Sequence, residues 1–450
     1  MGVPTQSEPQ QSPSYLEALT VYLRPSVLVI MLLGFSSGLP LALSGETLRV
    51  WMADSGVDLG TIGLLSLAGL PYTLKFIWAP VVDAWQVPFL SRYFGRRRAW
   101  LIASQLVLMA AIVFLGTRDP ISAPWMIGLG ALIVAFASAT QDIVVDAYRV
   151  QTLPTDEQAA GMAGYVAAYR IGMLASGAGV IGFSAWLETL GISKASVWPL
   201  AYAAAALLVI VGLFASLIAR EPKSDVDVEK LGGSPLFRLF DTAKGAFSEF
   251  LSRDAAMAVL AFVILFKLCD ALAGTMTAPF VLSLGYSKAT YAAIVKGVGL
   301  AALLLGGFAG GAVARAMSLS SALWLAACLQ MASNLAFVWL NYQTPSPEAL
   351  TVAIIVENFS GAIGTVIFVA YLSALCRNPL HTATQYALLT ALASTGRTFF
   401  SSGTGFMANA LGWPMFFIAT ALTALPALLL LVWLQGRGHF RALENSGNGG

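Results

Sequence analysis

The sequence predicts an all-α polytopic membrane protein of about twelve transmembrane helices in two pseudo-symmetric six-helix bundles. Three observations carry this: an extremely apolar composition, a regular succession of helix-length apolar runs, and a repeat relating the two halves. Hydrophobic residues make up 58% of the 450, charged residues 11%, and the mean hydropathy is +0.76. A soluble domain carries roughly 25% charged residues. A chain this apolar has too few polar groups to cover its surface in water, so lipid is its solvent.

The same composition excludes several function classes. A net charge of +2 offers nothing to nucleic acid. Cys269, Cys328 and Cys376 sit within or at the end of apolar runs without CxxC spacing, which reads as small buried hydrophobes. His381 and His439, the two histidines, fall outside the apolar runs. Neither a metal site nor a nucleophile–base pair is expected inside the membrane, nor a cofactor, and the chain is not expected to be an enzyme.

A span needs about 20 apolar residues to cross roughly 30 Å of hydrocarbon. Runs of that kind place spans near 25–45, 61–83, 100–116, 125–149, 160–187, 197–219, 256–282, 290–313, 320–341, 349–375, 383–410 and 413–435. The corresponding organisation is a tail (1–24), a six-helix bundle (25–219), a linker (220–254), a second bundle (255–436) and a closing tail (437–450). The first tail lacks the basic start and short apolar core of a secretory signal. The linker mixes both charge signs and contains Gly232, Gly233 and Pro235, with an amphipathic helix expected around Leu236 to Phe250.

Lysine and arginine set the orientation. With both ends inside, sixteen basic residues fall on the cytoplasmic side, including six from Arg220 to Arg253. Only Arg49, Arg118, Lys194 and Lys288 are left to the outer loops. Both termini are therefore expected in the cytoplasm.

The halves resemble each other at an offset near 228 residues. Asp58 to Gly63 enters the second span as Ser287 to Ala292 enters the eighth, and Arg170 with Ser176-Gly177 parallels Arg397 with Ser402-Gly403. Duplicated halves place a site between bundles near the midplane.

Charges inside the spans point to that site. Lys75, Arg170, Lys267, Lys296 and Arg397 are basic; Asp142, Asp146, Asp270 and Glu357 are acidic, with Asp83 at a span end. Each costs about 2.5–3.5 kcal/mol at mid-helix on insertion scales, so a chain keeps them only to pair or to line a wet cavity. Arg170, Lys267, Asp270 and Arg397 are expected near the midplane, Glu357 and Lys296 in the outer half, and Lys75 and Asp142 towards the cytoplasm. Asp142 and Asp146 share a helix face, and Lys267 can pair with Asp270 three residues on. The functional reading is a polar cavity in which basic groups hold an anion while a carboxylate carries a proton; the bland reading is ion pairs that hold helices together. On the functional reading Arg170, Arg397, Lys267, Lys75, Gln141, Tyr169, Glu357 and Gln385 bind substrate. Asp142, with Asp146 and Asp270 behind it, couples protons. Asp83, Arg96, Arg97, Arg98 and Arg149 form a gate at the cytoplasmic ends, with positive-inside anchoring as the simpler reading of the arginines. Glycine pairs such as Gly306-Gly307 and Gly310-Gly311 permit close helix approach, and Pro40, Pro71 and Pro279 can bend spans.

Several stretches together resemble the AmpG-type muropeptide permeases of the major facilitator superfamily, in the branch that also holds acetyl-CoA transporters. They are Gly34 to Pro40, Gly69 to Pro80 with Asp83, the basic turn Gly95 to Arg98, Ala139 to Arg149 and Tyr169 to Met173. The second half adds Lys267 to Asp270, Glu357, and Thr384 to Leu389 leading to Arg397. The motif with Gln141, Asp142, Asp146 and Arg149 is the most specific. The resemblance implies proton-driven import of anhydro-muropeptides from periplasm to cytoplasm across the bacterial inner membrane, by a monomer, for cell-wall recycling and β-lactamase induction. Other readings of the residues are a facilitator for another anionic solute, such as an acyl-CoA, or a drug exporter.

Overall fold

The structure is a computed structural model that describes residues 21–154, 158–222, 251, 255–375, 382–441 and 443. The expected tails and linker, with the amphipathic helix around 236–250, lie almost wholly outside the described residues. Among the described residues eleven helices are long and apolar enough to cross a membrane: α1 (Pro25–Asp54), α2 (Leu59–Ile77), α3 (Arg96–Gly116), α4 (Pro124–Thr152), α5 (Gly164–Thr189), α6 (Lys194–Ile218), α7 (Ala256–Ser283), α8 (Lys288–Ala314), α9 (Leu319–Asn341), α10 (Pro347–Leu375) and, last in the chain, Trp413–Gly436. Between the last two lies α11 (Thr382–Ser401), which resumes after a break as Thr404–Leu411, and Trp413–Gly436 is α12. Polar residues such as Thr390, Ser394 and Arg397 make α11 less apolar than its neighbours. Short connections alternate the spans between two faces, called here the linker face and the distal face.

Two boundaries differ from the sequence reading. The first helix does not stop near residue 45. Its backbone kinks at Gly45 (φ −114°, ψ −101°) and continues as Glu46–Asp54. Arg49 is thereby inside the span, not in an outer loop, and Lys288 is buried where α8 begins. Local hydropathy marked both as loop residues because it registers charge and is blind to where a kinked helix aims it. The second span is shorter than expected: α2 ends at Ile77, Trp78 interrupts it, and Ala79–Ala84 is a separate turn.

Packing within each half depends on absent side chains. α1 crosses α5 so closely that a Cβ on Gly38 would meet the Tyr169 carbonyl oxygen at 2.1 Å, and one on Gly172 would meet that of Phe35 at 2.2 Å. In the other half Gly306 of α8 lies against Phe359 of α10 in the same way, at 2.4 Å. Lipid gives helices no hydrophobic reason to associate, so close backbone approach with dense van der Waals contact supplies the attraction. The outward surfaces remain apolar, with Phe308 81% exposed and Leu429 70%, as lipid-facing positions require.

The repeat appears in the backbone. The Asp58 carboxylate accepts from the Thr61 amide at 2.9 Å as the cap of α2, and the Ser287 hydroxyl accepts from the Thr290 amide at 3.1 Å as the cap of α8. Equivalent segments thus start equivalent helices. The Thr61 amide, with Asn409 assisting, holds the Asp58 carboxyl below the usual carboxylate range, so this cap is ionised at neutral pH.

Gly38→Val should push α1 off α5 and destabilise the protein by about 1–3 kcal/mol. Gly307→Ala, where a Cβ meets nothing within 4 Å, should leave the melting temperature unchanged or slightly raised. Thermal unfolding of the detergent-purified variants checks both.

Candidate functional site

The halves are joined at the distal face. Lys288 of α8, with 5% of its side chain exposed, donates to Asp54 of α1 at 3.0 Å and Glu188 of α5 at 2.7 Å. Trp198 donates to the same Asp54 at 2.9 Å, and the lysine stands 5.1 Å from its ring centroid. At the pseudo-equivalent junction α2 meets the end of α11: a Cβ on Gly405 would fall 1.6 Å from the Leu59 carbonyl oxygen, and Asn409 donates to Asp58 at 2.8 Å. Deeper, Thr73 and Ser394 share a hydrogen bond at 2.9 Å. Among the described residues every hydrogen bond and ion pair joining the halves lies at this level or distal to it. The halves are thus held together at the distal face.

A two-lobed chamber lies behind this closure. One lobe, about 200 Å³, is lined by Glu46, Arg49, Arg170, Tyr291, Lys296 and Glu357 among others. The other, about 370 Å³, is lined by Glu46, Arg49, Tyr72, Ser394, Arg397 and Ser401 among others. Ligand cavities of roughly 300–1,000 Å³ hold drug-sized molecules, and the joined lobes fall within that range. Arg49, Arg170 and Arg397 have no hydrogen bond or ion pair among the described residues. An arginine cannot shed its proton, so three such groups in one chamber leave a surplus of positive charge facing its interior. Lys296 is paired with Glu46, and Glu357 accepts from Asn358 at 2.7 Å.

The remaining expected site residues are divided between two further clusters. In the first half Lys75 stands 3.9 Å from both Asp142 and Asp146, and Arg149 is 3.9 Å from Asp146. Asp142 is 9% exposed. Gln141 is fully buried and donates to Ser36 at 3.3 Å and Ser37 at 3.2 Å, while Tyr169 packs against Tyr165 with centroids 6.0 Å apart. In the second half Lys267 pairs with Asp270 and donates to the Gly361 carbonyl at 3.2 Å, tying α7 to α10. The side chains of Asp83 and Gln385 lie outside the described residues.

The basic turn is tied to neighbouring elements of its own half. Glu221 accepts from the Arg97 and Arg98 amides at 2.8 and 3.0 Å, placing a carboxylate on the positive end of α3 just past Arg96. Gly95 makes this possible: its φ is +83°, and a Cβ would meet the Glu221 carboxyl carbon at 2.4 Å. The Arg97 guanidinium donates to Gln151 at 3.0 Å, and that of Arg98 to the Ser216 and Leu217 carbonyls at 3.1 and 2.6 Å.

The structure thus brings Arg170, Glu357 and Arg397 to one chamber, and sets Lys75, Gln141, Asp142 and Asp146 in another place. Arg170, Glu357 and Lys296 line one lobe together. Glu46, Arg49 and Tyr291 were missed as site residues. The available signal was Glu46 and Arg49 three apart directly after an apolar run, a spacing that puts both on one helix face.

Residues 26–384 match the family described as the Major Facilitator Superfamily. The anhydromuropeptide permease of Escherichia coli strain K12 is 37% identical over 430 residues, covering 95% of this chain and 83% of that protein. The AmpG 4 protein of Rickettsia conorii is 36% identical over 406 residues, covering 90% and 95%. Among solved structures, the nucleoside transporter NupG superposes with a TM-score of 0.67 at 12% identity, covering 93% of this chain and 99% of its own. A bacterial homologue of the lysosomal transporter Spinster, inward-facing and unoccupied, superposes at 0.60 with 15% identity, covering 97% and 98%. At these identities the structural likeness is one of fold.

Lys288→Met leaves Asp54 and Glu188 facing each other without their shared cation. Removing one partner of a buried pair is strongly destabilising, so the distally closed population should fall by roughly tenfold or more. A membrane-impermeant maleimide added on the distal side should then label Thr277→Cys, buried in the chamber behind the closure, several times faster than in the Lys288 parent, with both proteins stripped of native cysteines.

Proposed function

This chain belongs to the Major Facilitator Superfamily, and from that premise we propose that it imports anhydro-muropeptides from periplasm to cytoplasm by proton-coupled alternating access. It is a multi-pass membrane transporter related to bacterial inner-membrane permeases. On our reading the linker face is cytoplasmic, since the basic residues concentrate there, and the halves are held together on the periplasmic side. The observation that carries the substrate class is the set Arg49, Arg170 and Arg397, three unpaired arginines facing one chamber between the halves. Guanidinium groups suit carboxylates through paired N–H donors, and a muropeptide supplies carboxylates on its lactyl-peptide arm. The 37% identity to the E. coli anhydromuropeptide permease over 95% of the chain supports this cargo over other anionic solutes.

Proton coupling is assigned to Asp142. Two carboxylates, Asp142 and Asp146, share Lys75 at equal distances of 3.9 Å. Arg149 stands beside Asp146, so Asp142, the more buried carboxylate, is left with only a share of Lys75 at 3.9 Å, and a proton would complete its compensation. Changes in exposure as the halves rock would alter the balance and release the proton on the cytoplasmic side.

Right-side-out vesicles loaded with the protein should accumulate labelled anhydro-muropeptide when a proton gradient is imposed. Asp142→Asn should reduce that accumulation by about tenfold or more, in the range seen for loss of a group that moves a proton, while exchange of substrate across the membrane without a gradient persists. Absence of wild-type uptake from folded protein would redirect the substrate to another anionic solute.

A further inference from the structure

We infer that the Glu46–Lys296 ion pair is a contact the cargo must open, an anionic group of the substrate replacing Glu46 on the Lys296 ammonium. The inference rests on the reading of the chamber as a site for anionic solutes. Glu46 belongs to α1 and Lys296 to α8, so the pair bridges the two halves. Glu46 is the acidic residue shared by both lobes, and Lys296 lines the one with Arg170. Their surroundings are unequal: 13% of the Lys296 side chain is exposed against 47% of Glu46. A buried ammonium must keep a counter-charge, whereas a carboxylate already half in water loses little when displaced. The lysine therefore stays and its partner is exchangeable.

Local backbone supports the position. Lys296 lies in a π-helical stretch, Ala292–Val298, that faces another in α5, Ala175–Gly179. Such turns are rare and concentrate at functional sites. At Gly177 a Cβ would lie 3.9 Å from both the Lys296 Cδ and the Ala42 Cβ, so the lysine stem occupies the junction of α1, α5 and α8. The Tyr291 ring lies 5.9 Å from its ammonium. The pair joins α1 to α8 at the place where the halves meet, so a cargo anion on Lys296 and the closed pair exclude each other. Arg49 and Arg170 stand beside it to hold the remaining anionic groups.

The test is a binding cycle on the full-length protein in lipid nanodiscs, using labelled GlcNAc-anhydroMurNAc-tripeptide and following Tm for each variant. Glu46→Gln removes the competitor and should tighten binding by roughly tenfold, while Lys296→Gln should weaken it by at least as much. In the Lys296→Gln background Glu46→Gln should have no effect, because nothing remains to compete for. Lys296→Arg keeps the charge and should preserve the tightening, which covers the case in which Lys296→Gln does not fold. Weakened binding by Glu46→Gln, or an equal effect with and without the position-296 charge, would overturn the inference alone. Absence of binding by the wild type would overturn the substrate reading and this inference with it.

Discussion

Positive charge that cannot be neutralised, held inside a membrane, is the constraint on which the rest of this structure depends. Each such charge costs about 2.5–3.5 kcal/mol at mid-span on insertion scales, and Arg49, Arg170 and Arg397 are left without partners among the described residues. The chain tolerates them because they line a chamber of two joined lobes instead of facing lipid. A chamber needs walls, and these are two helix bundles whose internal crossings are tightened by glycine until backbone meets backbone. The glycines of α1, α5 and α8 therefore support the site as the arginines do, since bulkier residues there would force apart the helices of each bundle.

The distal closure follows from the same duplication that builds the bundles. Equivalent helix starts, at Asp58 and Ser287, carry equivalent caps and sit at the two pseudo-symmetric junctions. They close in different ways. At one, Gly405 lets α11 rest directly on the start of α2; at the other, Lys288 draws together Asp54 and Glu188. One junction works by shape and the other by charge, so their responses to solvent and to substitution differ. The linker face carries no comparable connection among the described residues. There Glu221 and the Gly95 turn fasten the exit of α6 to the start of α3 within a single half, which leaves that half free to move as a unit.

Much of this was legible in the sequence, for definable reasons. Span number and the two-half organisation follow from hydropathy and from an offset visible in a handful of residues, because lipid imposes length and polarity on every helix alike. That Arg170 and Arg397 fall inside helices followed from counting along the apolar runs. What the sequence could not convey was direction across space. Glu46 and Arg49 read as loop residues because the Gly45 kink that keeps the helix going leaves no hydropathy signal. Lys288 read as an outer-loop charge because its partners, Asp54 and Glu188, are 234 and 100 residues away in the chain. Lys75 was expected to bind substrate; the structure sets it instead beside Asp142 and Asp146 in the first half, since helix faces, not depth alone, decide which cavity a side chain reaches.

The most direct test of the account is an electron cryo-microscopy structure of the protein in nanodiscs saturated with anhydro-muropeptide. The account predicts density for the cargo spanning both lobes, with its carboxylates against Arg49, Arg170 or Arg397 and its sugar rings between the halves. Density confined to one half, or cargo placed among Lys75, Asp142 and Asp146 with the arginines untouched, would contradict it.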